Sequence, residues 1–265
     1  MKKIGIIGCG WLGIRISNHL QSGYKLYTTT TSEEKKSELI AMGLDSVAIQ
    51  FSDDEVTEEL KNNETIQEMD ALIITVPFSK RTPVNQLKNR FENISLFIGE
   101  FKKPVFLMSS IGIYPQMNIS MDESYTIEEH LEPTLLSIEK LMKFNYPKIN
   151  ILRLGGLMGD NRVFSNYTIS DPDQAVNHVH YEDICLIIEK MINMNITSKT
   201  YNVVAPEHPT KQEVINYQKN IPAGASSADK TSQRIISSKN LESDLGYVYR
   251  NPDPKKFNDR KSNIL

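Results

Sequence analysis

The chain is short of the residues that would tie it to disulfides, thiol chemistry or a cysteine-held metal. Its 265 residues include two cysteines, Cys9 and Cys185, at a spacing that matches no metal or redox motif. No metal is expected, and a reducing cytoplasm is the expected setting. Long apolar runs are missing too, so nothing approaches the ~20 residues that a membrane-crossing helix requires. Charge of one sign is scarce. The net charge is −3 and no strongly basic block appears, which argues against nucleic acid as a partner. No internal repeat is visible. What is present is the make-up of a soluble globule, 39% hydrophobic and 24% charged, long enough to bury one full core or somewhat more.

The opening stretch carries the clearest signal. Ile4-Gly5-Ile6-Ile7 is an apolar run of strand length, and Leu12, Ile14, Ile16 and Leu20 follow at helix-compatible spacings. Lys2 and Lys3 imitate the start of a secretory leader, but the glycines that follow make this run a strand instead. Between strand and helix lies Gly8-x-Gly10-x-x-Gly13, in the order that a dinucleotide fingerprint requires. Gly8 permits the tight turn and Gly10 lets backbone amides approach a pyrophosphate. Gly13 allows close helix–strand packing, while Trp11 and Leu12 open a helix whose N-terminus attracts anions.

Further strands are expected at Tyr24–Thr31, Asp45–Phe51, Ala71–Val76, Pro104–Ser109 and Ile149–Leu154, with helices between them. Ser32 reads as an N-cap for a helix through Ala41, and the nearly all-apolar Ala71–Val76 fits a parallel strand covered on both faces. This alternation predicts an α/β fold, a Rossmann-type doubly wound parallel sheet. Residues 1–154 would form the nucleotide-binding domain. Residues 155–250 would form a mixed substrate-binding region with some return to the main sheet, and residues 251–265 a polar tail that frays. The small, polar run from Pro222 to Ala228 is expected to be a mobile loop.

Ser109-Ser110-Ile111-Gly112-Ile113-Tyr114 resembles the Ser-Ser-x-x-Val-Tyr segment of extended short-chain dehydrogenases, the NAD(P)-dependent epimerase and dehydratase branch. Leu152 to Gly159 is similar to that branch's Leu-Arg-Pro-x-x-x-Tyr-Gly stretch, and Asn177 to Ile184 to its Ile-His-Val-x-Asp-Leu segment. The resemblance covers about residues 1 to 250 and is to an atypical member, because the first glycine is displaced by one place. It implies hydride transfer to or from a small carbonyl or alcohol substrate. The main family's Tyr-x-x-x-Lys pair is absent: no tyrosine here has a lysine four residues on.

The resemblance also suggests roles. Ser110 aligns with the hydroxyl that holds a substrate carbonyl, although a strand-end cap would need the same residue. Tyr114 is the nearest phenol and a candidate acid/base, with packing beneath the site as its alternative. Ser109, Val76 and Pro77 would line the crevice at the strand ends. At the end of the second strand, Thr30, Thr31 and Lys35 stand where an NAD site wants a carboxylate. Hydroxyls and a lysine suit a 2′-phosphate, so NADP is preferred over NAD. Arg153 and Arg162 could meet an anionic substrate. His178 and His180 could face one metal if joined by a third ligand, but the resemblance reads His180 and Asp183 as structural. It also implies that a homodimer is possible. The competing function is a non-catalytic NADP(H) sensor or scaffold, favoured by the missing Tyr-x-x-x-Lys.

Overall fold

A computed structural model describes residues 1–60, 63–78, 81–160, 162–221 and 233–259. The run from Pro222 to Ala228 and the last six residues of the tail lie outside the described residues.

In chain order the strands are β1 (Lys3–Ile7), β2 (Lys25–Thr30), β3 (Asp45–Ala48), β4 (Ala71–Ile74), β5 (Val105–Ser110), β6 (Ser120–Met121), β7 (Ile149–Leu154), β8 (Gly156–Met158), β9 (His178–His180), β10 (Thr200–Val203) and β11 (Ile235–Ile236). The helices are α1 (Trp11–Leu20), α2 (Glu33–Ala41), α3 (Glu64–Gln67), α4 (Val84–Ile98), α5 (Pro133–Asn145), α6 (Tyr181–Asn193), α7 (Lys211–Gln218) and α8 (Lys239–Leu245). Seven strands make one parallel sheet in the order β10-β7-β5-β4-β1-β2-β3. The fold is a Rossmann-type α/β sheet, as the alternation predicts. The chain order reverses between β1 and β4, and a parallel sheet presents its ligand crevice at such a reversal.

The central strands are apolar on both sides because helices cover both faces. Leu12, Ile16 and Leu20 of α1 pack with Ile187, Ile188 and Met191 of α6 on one face. Leu87, Phe91 and Ile94 of α4 pack with Ile138 and Met142 of α5 on the other. Ser32 caps α2 by accepting from the Lys35 amide at 3.2 Å.

Three expectations are corrected. The third strand stops at Ala48 rather than Phe51, and the fourth at Ile74 rather than Val76. The residues beyond both strand ends turn out to line the crevice. The described part of the tail packs instead of fraying. Asn251 donates from its backbone and side-chain amides to Asp183, both at 3.0 Å, and Phe257 is buried.

Candidate functional site

The glycine turn is held from two sides by threonines. The Gly8 amide donates to Thr29 Oγ1 at 2.9 Å, and the Cys9 amide to the Thr29 carbonyl at 2.6 Å. From β4's end, Thr75 Oγ1 donates to the Gly8 carbonyl at 2.5 Å. Each glycine has its own reason. Gly8 has φ +89°, and a Cβ there would sit 2.7 Å from Val76 Cγ2. A Cβ on Gly13 would lie 3.0 Å from Thr75 Oγ1 and 3.1 Å from the Gly8 carbonyl, so α1 packs as closely as it does only without one. Gly10 is different. A Cβ there would meet only the Gly8 carbonyl, at 4.0 Å, and would otherwise enter open space. Gly10 is also the N-cap of α1 and supplies no side-chain cap. The turn therefore leaves both the room and the uncapped first-turn amides that a pyrophosphate needs.

A cavity of about 1340 Å³ runs from this turn across the strand ends. Gly8, Gly10, Trp11, Leu12, Thr30, Thr31, Lys35, Val76, Pro77, Ser109 and Ser110 all line it, as do Phe51, Asp53 and Arg162. Gly13 and Tyr114 do not. Gly13 acts behind the wall, through packing.

Tyr114, the candidate acid/base, does not reach the cavity. It is 1% exposed, donates to Asn202 Oδ1 at 2.9 Å and accepts from Arg153 Nη1 at 2.8 Å. Burial pushes its pKa up, outweighing the neighbouring Arg153 cation. The phenol is a structural joint inside the protein, in line with the packing alternative.

Ser109 and Ser110 reach the cavity with different hydrogen-bonding capacity. Ser109 is buried and donates its proton to Glu139 Oε1 at 2.6 Å, so it can only accept from a ligand. Ser110 accepts from the Gly112 amide at 3.0 Å, which leaves its hydroxyl proton free to donate. Behind Ser109, Glu139 pairs with Arg153 through two bonds, Nε to Oε1 at 3.1 Å and Nη2 to Oε2 at 2.7 Å. Burial alone would lower the Arg153 pKa, but the Glu139 carboxylate overrides it and raises it. Arg153 is therefore committed and does not face the cavity. Glu139 stands on the buried stripe of α5 with Leu135, Ile138 and Met142. A lone carboxylate at that helical spacing was the available sequence signal.

At the other end, no carboxylate closes β2. Thr31 is exposed, and Lys35 Nζ donates to Glu38 at 2.5 Å. Asp53 holds Arg90 with two bonds, Nε to Oδ1 at 2.6 Å and Nη2 to Oδ2 at 2.5 Å. Arg90 also donates to the Pro77 carbonyl at 2.8 Å, just beyond β4. Neither Asp53 nor Arg90 was singled out by sequence. Their pairing joins a loop to a helix 37 positions away.

His180 and Asp183 sit together at the start of α6. They are joined through Asn251 Nδ2, which lies 3.3 Å from His180 Nδ1 and donates to Asp183 Oδ2 at 3.0 Å. Among the described residues, no three His, Cys, Asp or Glu side chains converge as metal ligands would.

Searches of solved structures return proteins with this same architecture. A Methylobacillus flagellatus protein described as an NAD-dependent epimerase/dehydratase superposes with TM-score 0.74 at 19% identity, covering 97% of this chain and 96% of its own. The chain shares that protein's fold. The human epimerase family protein SDR39U1, solved with NADPH, shares this fold at TM-score 0.69 and 14% identity, over 96% of this chain and 97% of its own. A dTDP-glucose 4,6-dehydratase from Bacillus anthracis, solved with NAD, does so at 0.68 and 12%, over 97% and 94%. By sequence, protein YeeZ of Escherichia coli K12 is 26% identical over 270 residues, covering 96% of this chain and 98% of its own length. No protein-family model matches the chain.

Proposed function

We propose that this epimerase/dehydratase-fold protein binds a nicotinamide dinucleotide, NADP(H) in preference to NAD(H). We further propose that it promotes hydride transfer to or from a small carbonyl or alcohol substrate. The observation that carries the reading is one continuous cavity. It joins the glycine turn, where Gly10 leaves room for a pyrophosphate, to the free hydroxyl proton of Ser110. The nicotinamide complexes of fold relatives support the cofactor class. When bound, the dinucleotide supplies the hydride chemistry. The chain supplies the rest. Ser110 would donate to the substrate oxygen and polarise its carbon. Ser109, anchored by Glu139, would accept from a hydroxyl or amide beside it. Thr31 and Lys35 would meet a 2′-phosphate. The Lys35–Glu38 pair is exposed and within one helix, worth about 0.5 kcal/mol or less, so little holds Lys35 back from a ligand. The free, buried thiols of Cys9 and Cys185 suit a cytoplasmic location.

The second reading is a dinucleotide sensor without turnover. Withdrawal of the Tyr114 phenol from the cavity favours it, since no other tyrosine lines that space. Trp11 lies at the turn and reports on both readings. Titration of NADPH and NADH should change its fluorescence, with NADPH bound more tightly. Consumption of NADPH with a panel of small carbonyls supports the enzyme. Firm binding with no turnover supports the sensor, and no binding by fluorescence or calorimetry overturns both.

A further inference from the structure

Two guanidinium groups meet the single tryptophan, and their chemistry differs. Arg15 Cζ lies 3.7 Å from the Trp11 ring centroid and Arg162 Cζ 3.9 Å. Two such groups cannot share one face of a ring at that range without overlapping, so the indole is held between them. Arg15 is engaged at all three of its nitrogens. Its Nε donates to Asp160 Oδ2 at 2.7 Å, Nη2 bonds the same oxygen, and Nη1 donates to the Trp11 carbonyl at 2.6 Å. Asp160 also accepts from the Tyr181 hydroxyl at 3.1 Å. Arg15 thus anchors the turn holding Asp160 and Arg162 to α1.

Arg162 is oriented by the stack, yet its edge is not used up. Stacking occupies the flat face of a guanidinium and leaves the N–H groups around its perimeter available. Among the described residues no carboxylate pairs with it, and its side chain lines the cavity. The turn that carries it is fixed by reciprocal backbone bonds between Gly159 and Arg162, at 3.3 and 3.0 Å. Asp160 neutralises one of the two arginines, leaving one positive charge beside the uncapped N-terminus of α1. A planar, pre-oriented fork in that position matches an oxyanion.

We propose that Arg162 is an oxyanion-binding residue. It takes a phosphate or carboxylate group of the ligand lodged between the glycine turn and Leu154–Leu157. The inference rests on the dinucleotide reading of the cavity and extends it to the ligand's charge. Two sources share this chemistry, the dinucleotide's own pyrophosphate and an anionic group on the substrate.

Calorimetry separates them. ADP-ribose is titrated into wild type, Arg162→Gln and Arg162→Lys, and then malonate and inorganic pyrophosphate into each protein saturated with ADP-ribose. Thermal melts check that the variants are folded. Weaker ADP-ribose binding by Arg162→Gln, by about tenfold or more, assigns the guanidinium to the dinucleotide's pyrophosphate. Unchanged ADP-ribose affinity with loss of malonate or pyrophosphate binding assigns it to an anionic substrate. Arg162→Lys should lie between, because it keeps the charge without the planar fork. Should Arg162→Gln fail to fold, the Lys variant carries the same comparison. Affinities within about twofold of wild type for every probe would overturn the assignment while leaving the dinucleotide reading intact. Wild type that binds neither ADP-ribose nor NADPH, but binds pyrophosphate through Arg162, would overturn the dinucleotide reading alone. Wild type that binds no probe, NADPH included, overturns both.

Discussion

At the scale of single residues, the glycine turn separates stability from binding. Gly8 and Gly10 are two positions apart, but only Gly8 has a backbone that resists a side chain. Gly8→Ala would force φ +89° on an L-residue and crowd Val76, and should cost about 1–3 kcal/mol of stability. Gly10→Ala has an ordinary φ of −86° and open space around it. It should lose about 1 kcal/mol or less as an N-cap change while weakening dinucleotide binding by about tenfold or more. Urea denaturation and ligand titration on the pair check this. Equal affinities in Gly10→Ala and wild type would remove the pyrophosphate from this position. The turn role of Gly8 and the packing role of Gly13 were legible from order alone. That Trp11 would be gripped by two arginines was not, because Arg162 arrives from a turn about 150 residues away in sequence.

Among the elements, one buried polar chain ties the sheet's C-terminal edge together. Ser109 on β5, Glu139 on α5, Arg153 on β7, Tyr114 after β5 and Asn202 on β10 are linked in series. Tyr114→Phe would leave Asn202 Oδ1 and Arg153 Nη1 short of a partner in the interior, at a cost of about 1–3 kcal/mol. Glu139→Gln should cost more, about 3–5 kcal/mol, because Arg153 would then be buried without a counter-charge. Any NADPH turnover should survive Tyr114→Phe at temperatures where the variant is folded, whereas Ser110→Ala should depress it without comparable loss of stability. Loss of turnover in folded Tyr114→Phe would restore the phenol to the chemistry. The strands and helices that position this chain were readable from apolar runs and caps. The chain itself was hidden, since a strand's periodicity says which side Arg153 faces but not which carboxylate waits there.

Across the whole molecule, residues after β10 close the fold by returning to α6. Asp183, fully buried, accepts from the Tyr247 hydroxyl at 2.7 Å, the Arg250 amide at 2.6 Å, and the backbone and side chain of Asn251 at 3.0 Å each. Nearby, burial lowers the pKa of His178 to about 4, and also lowers those of His180 and His208. A histidine held neutral when folded binds a proton more readily when unfolded. Its contribution is therefore complete above its ordinary value of about 6.5 and is lost as pH falls through that value toward the folded one. The urea midpoint should fall between pH 7 and pH 5, and His178→Leu should flatten that slope. A midpoint independent of pH across this window would show that the histidines are not held neutral.

The sequence by itself determined the parallel α/β sheet and the glycine turn, while the serines at the end of β5 stood out by their resemblance to a family segment. The first two rest on local physics: strand-length apolar runs and positions that cannot carry a Cβ. Tertiary structure decided which groups face the cavity and which are spent on one another. It turned Tyr114 and Arg153 inward to Glu139 and Asn202, brought Asp53 to Arg90, and laid Arg162 on Trp11. Partners so far apart in the chain meet only when layers pack, because burying a charge or phenol demands a partner wherever the fold supplies one.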